Sequence, residues 1–205
     1  MKRPPVLVVV TFIATVCVTV LLTRALAARP ASSGESSQKP TPLILQETEG
    51  DQLVHRAGPL KGVPFNIKLD GQFGGSEDFF VFTEVLAPGQ TIPFHKHENA
   101  EEILLFDDGS ATVTVGDKRA VAGPRSMVFI PRDTWISATN TGGKDILAWA
   151  IFSRHGFETY MRSISAKPGQ PLMPLNQDEL TRLRTLGHAV YWDNTKGPYP
   201  PGVSH

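Results

Sequence analysis

From Leu43 onward the chain is a succession of short β-prone runs, LILQE, FNIKL, FFVFTEVL, TIPFH, EILLF, ATVTV, MVFI, WISAT and ILAWAIF, separated by Gly, Pro and Asp. Many short strands at this spacing imply antiparallel pairing in a sandwich or barrel. Asp107-Asp108-Gly109 joins EILLF to ATVTV, and Gly116-Asp117 joins ATVTV to KRAV. Both are hairpin turns, because Asp and Gly tolerate the positive φ such turns demand. Near the end the pattern changes to two helices, Gly156 to Ser163 and Asn176 to Leu186. Asn176 serves the second as N-cap, Asp178 and Glu179 sit in its first turn, and Gly187 stops it. Both are expected on the outside of the barrel. The loop Asp70 to Asp78, DGQFGGSED, is expected to be a mobile lid.

A chain of 205 residues with 40% apolar content can build one sizeable core. Lys plus Arg and Asp plus Glu number 20 each, so nothing draws the chain to nucleic acid. Neither a nucleophile triad nor a phosphate-cradling glycine loop is present.

The first 27 residues stand apart. They carry Lys2, Arg3 and Arg24 and no acid, and without them the chain has 17 basic and 20 acidic groups, a net charge of −3. A basic start, an apolar run over residues 6–22 and small residues at Ala25 and Ala27 are the layout of a secretory signal cut after Ala27. The competing expectation is an uncleaved anchor, since the run approaches the ~17 to 20 residues that span a bilayer. Either way the rest is exported, to the periplasm or beyond, or anchored at the membrane. Cys17, in the apolar run, is the only cysteine, so the exported part forms no disulfide. Residues 28–42 are a Ser- and Pro-rich linker that buries too little to offset its ordering entropy. The folded domain is residues 43–205.

The chemistry concentrates at Phe94-His95-Lys96-His97. Residues i and i+2 of a strand share a face, so both imidazoles can aim at one point. Glu102 opens the next apolar strand and can meet them across the pair, whereas alternation turns Glu101 outward. Two neutral nitrogens and a carboxylate, with coordination positions left open, suit iron, manganese, nickel or zinc.

Read with its flanks, the segment is Gly89, five residues, His95-x-His97, four residues, Glu102, six residues, Gly109. It closely resembles the first motif of the cupin family, and the likeness extends over residues 79–152. The resemblance implies an all-β fold, a double-stranded β-helix or jelly-roll barrel, here with one or two C-terminal helices. It also makes Gly89 and Gly109 turn residues and puts the metal in the barrel mouth. The second cupin motif is kept in Pro131 and Asn140, while Asp133 replaces its glycine and Ile136 stands where it has a third histidine.

The other candidates are assigned elsewhere. His155 is expected at the rim, His55 and His205 as structural or exposed, His188 beyond the second helix, and Arg132 as solvated. Phe80, Phe82, Phe94, Phe106, Phe129, Trp135, Trp149 and Phe152 are expected core, Trp135 facing outward, and Ile136 with Ile92, Leu104 and Phe106 is expected to make one side of the pocket apolar.

Three functions follow. The chain is an exported metal-dependent enzyme acting on a small molecule, dioxygenase-like or an isomerase, with no catalytic residue assigned beyond the ligands. Alternatively it is a non-catalytic small-molecule or sugar-binding cupin that has lost its metal, or a structural domain that pairs as a homodimer through its outer sheet.

Overall fold

The computed structural model describes residues 39–203, which build two sheets around one core. The strands, in chain order, are β1 (Asp51–His55), β2 (Pro64–Leu69), β3 (Phe80–Leu86), β4 (Thr91–His97), β5 (Glu102–Phe106) and β6 (Ala111–Val115). They continue with β7 (Lys118–Ala122), β8 (Ser126–Ile130), β9 (Ile136–Asn140), β10 (Ile146–Phe152), β11 (Ser165–Ala166) and β12 (Ala189–Tyr191). One sheet runs β11-β1-β2-β3-β10-β5-β8 and the other β12-β4-β9-β6-β7, with antiparallel ladders throughout. This is the jelly-roll architecture of cupins.

Period-two burial builds the core. In β10, Ile146, Ala148, Ala150 and Phe152 are buried while Leu147, Trp149 and Ile151 are half-exposed. Ala148 and Ala150 are small residues on a central strand, and that leaves room for the cavity they line. One end of the core is aromatic: Phe80 stacks on Phe152 at 5.4 Å, and Phe82 stacks on the same ring at 6.1 Å.

Two helices follow the strands, α1 (Phe157–Ser163) and α2 (Gln177–Leu186). The Asn176 side chain accepts from Glu179 N–H, the cap its position predicts. Both were expected on the outside of the barrel; Phe157, Tyr160 and Met161 of α1 and Leu180 and Arg184 of α2 line an internal cavity.

The segment LILQE is not a strand. Leu43 is 40% and Ile44 93% exposed, and the ammonium of Lys68 takes up the carbonyls of Gln46, Glu47 and Glu49 that a ladder would have used. The Asp70 to Asp78 loop is anchored at its first residue. Asp70 is fully buried, accepts from Gln72 and Phe73 N–H, and pairs with Arg162 at 2.7 Å. Of the expected core aromatics, Phe80, Phe82, Phe106 and Phe152 are buried. Phe94 and Trp149 are half-buried and Phe129 is 49% exposed, because they occupy outward positions of their strands, and Trp135, half-buried, lies in the turn before β9.

The expected signal or anchor, Cys17, the linker up to residue 38, and His205 lie outside the described residues; residues 39–42 are exposed coil. Among the described residues no helix is long and apolar enough to cross a membrane.

Candidate metal centre

His95 and His97 owe their aim to an irregularity in β4. The register with β9 pairs Ile92 with Ala138 but His95 with Ile136, so β4 carries one extra residue between them. Pro93 lies in that bulge, where its missing N–H leaves no ladder bond unmade. Past the bulge His95 and His97 are both buried, their rings 4.9 Å apart and nearly perpendicular. Between them Lys96 turns outward and pairs with Asp133 at 2.5 Å.

The Pro93 carbonyl sits 2.8 Å from His95 Nδ1. A carbonyl only accepts, so Nδ1 carries the proton and Nε2 presents its lone pair. Burial and the neighbouring His97 hold the His95 pKa down at about 4, which keeps the imidazole neutral and ready to ligate near neutral pH.

Glu102, at the start of β5, is 4% exposed and brings Oε2 to 3.5 Å from His97 Nε2. That spacing approaches the ~3 Å between neighbouring ligands of one ion held by ~2.1 Å bonds. One ligand atom from each of His95, His97 and Glu102 falls within 4.8 Å of the others. Both nitrogens of His97 and Glu102 Oε2 are buried with no hydrogen-bond partner among the described residues. Leaving such groups unpaired costs about 1 to 3 kcal/mol each, a cost that a cation, or a proton shared between His97 Nε2 and Glu102 Oε2, would relieve. Around it, the Phe152 and Phe157 rings meet His97 edge-on at 4.9 and 4.4 Å and Tyr191 stacks on His95 at 5.4 Å.

Ile136 is fully buried directly across from His95. It offers no donor and, like Phe106, does not line the cavity; Ile92 and Leu104 do. Asn140, also fully buried, donates to the carbonyls of Leu86 and Lys144 at 2.7 and 2.8 Å and accepts from Gly142 N–H, holding the β9–β10 connection. Gly89 and Gly109 have φ of 80° and 77°, as turn residues do. At Gly109 a Cβ would fall 2.6 Å from Ile146 Cγ1. His155 is half-buried and meets Glu158 at 3.3 Å, and it does not line the cavity, while Glu101, Arg132 and His188 are exposed.

A cavity lined by His95 and Glu102 has a volume of about 220 Å³. His55, expected to be structural or exposed, is buried in β1 and lines this cavity, and its Nε2 meets Glu84 Oε2 at 3.2 Å. Arg184 and Tyr191 reach the same space. Glu84 was findable, since it occupies an inward position of FVFTEVL between Phe82 and Leu86; Arg184 carries no local signal.

Residues 82–152 match the family model of the cupin domain. Among solved structures, a predicted oxalate decarboxylase from Thermotoga maritima is 23% identical, with 46% of this chain and 84% of that one covered at a TM-score of 0.43. The TT1209 protein of Thermus thermophilus is 24% identical over 38% of this chain and 75% of its own, with a TM-score of 0.37. KdgF from Halomonas sp. is 16% identical over 46% and 81%, with a TM-score of 0.40. No curated protein matches the chain in sequence.

Proposed function

We propose that this is an exported cupin-domain protein, periplasmic, secreted or anchored through residues 6–22, that binds one divalent metal through His95, His97 and Glu102. In this reading it is a metal-dependent enzyme acting on a small molecule. The observation that carries the proposal is the set of buried, unpartnered atoms on His97 and Glu102 beside an imidazole whose lone pair is freed by Pro93. A metal held there would supply Lewis acidity or, if redox-active, dioxygen chemistry, in either case suited to a dioxygenase-like oxidoreductase or an isomerase.

The chain's own groups set the conditions. Ile92, Leu104 and Met161 give the cavity an apolar wall, and the His55–Glu84 pair sets a second imidazole–carboxylate contact in it. Metal uptake by equilibrium dialysis tests the proposal. One ion per chain is expected, with His97→Ala weakening uptake at least a hundredfold while the protein stays folded. Full uptake by that variant would exclude the site.

A second reading, a non-catalytic small-molecule or sugar-binding module, is favoured by Ile136 alone, which withdraws the third histidine. In that case replacing both histidines by Ala leaves ligand affinity intact.

A further inference from the structure

Deepening that reading, we propose that Arg184 is the anchor for a carboxylate, so that the cavity takes small monocarboxylic acids whose other end carries an oxygen donor. Arg184 stands in the last turn of α2 and lines the same cavity as His95 and Glu102. Its Nε is buried and donates to nothing among the described residues, and no carboxylate there pairs with its guanidinium. Of the cavity's acids, Glu84 is engaged by His55 and Glu102 belongs to the proposed metal site.

The guanidinium is fixed in place rather than swinging in solvent. Its carbon stacks 4.5 Å over the Tyr191 ring, and that ring stacks 5.4 Å from His95, with which Tyr191 is in cross-strand register. The guanidinium carbon is therefore no farther than about 10 Å from the His95 imidazole. One molecule can touch both. A planar guanidinium with a free N–H edge matches a carboxylate in two parallel hydrogen bonds. The cavity lining includes the apolar side chains of Ile92, Leu104 and Leu180, which suit a short hydrocarbon segment. A cavity of about 220 Å³ limits the acid to a small one.

The oxygen-donor half rests on the proposed metal site; the Arg184 contact does not, so it is tested on metal-stripped full-length protein. The probes are 3-phenylpropionate and its neutral amide, with binding followed by titration calorimetry. The acid is expected to bind at least tenfold tighter than the amide. Arg184→Gln should erase the preference and Arg184→Lys should keep part of it, with circular dichroism showing both folded. Equal binding of the two probes, no binding of the acid at millimolar concentration, or a preference surviving in Arg184→Gln would each overturn the proposal. Metal uptake by Arg184→Gln, measured alongside, is expected to match the parent, which separates failure here from failure of the metal site.

Discussion

At the scale of single residues, His95 and Ile136 face each other across one strand pair and pull in opposite directions. The isoleucine removes a donor from the second motif, while His95's own burial, with His97 beside it, keeps the imidazole unprotonated. This has a consequence for stability. The unfolded chain takes up a proton at His95 near pH 6.5, whereas the folded chain resists until about 4. Stability is therefore full above 6.5 and falls as the pH drops from 6.5 towards 4, by about 3 kcal/mol at 1.4 kcal/mol per unit. Denaturant unfolding of metal-free protein at pH 7 and pH 4.5 should show this loss, and His95→Gln should show a smaller one. A loss of the same size in both proteins would rule His95 out as its source. The identities of the three candidate ligands were legible in the sequence because strand alternation is local. The tautomer of His95 was not, since it depends on how a bulge turns the Pro93 carbonyl.

At the scale of elements, the β8–β9 turn shows how a departure from the family pattern is absorbed. Asp133, in place of the usual glycine, has φ 59°, a left-handed conformation that Asp tolerates better than most residues. Its amide donates to the His97 carbonyl at 2.8 Å, tying the turn to the histidine strand, while its exposed pairing with Lys96 contributes little. Asp133→Gly is expected to change stability by less than about 1 kcal/mol, and Asp133→Val to lower it by about 2 kcal/mol, since a β-branched residue is strained there. Thermal unfolding of the two variants checks the order, and equal midpoints would show that the turn carries no strain. Strands β2 to β6 and β8 to β10 were readable from alternation and turn residues. The strands β11 and β12 have two and three residues, too few to show a period, and LILQE misled because its carbonyls answer to Lys68 from β2.

At the scale of the whole molecule, what stayed illegible is the convergence of His55, Glu84, Arg184 and Tyr191 on one cavity from β1, β3, α2 and β12. No sequence spacing encodes that meeting; the topology does. The outer face of the seven-stranded sheet bears on the proposed homodimer. There Ile103 is in register with Phe129 and Ile151, and Leu105 with Met127 and Trp149, forming an apolar row across three strands. Met127 is 63% and Phe129 49% exposed on this face, an arrangement suited to a second copy. Sedimentation of the full chain is expected to show a dimer that Phe129→Glu weakens at least tenfold; unchanged association would place the contact elsewhere. The central claim remains the joint ligation of one metal by His95, His97 and Glu102, and anomalous diffraction from crystals loaded with manganese tests it most directly. A peak is expected about 2.0 to 2.3 Å from His95 Nε2, a His97 nitrogen and a Glu102 oxygen together. A folded protein with no peak there would contradict it.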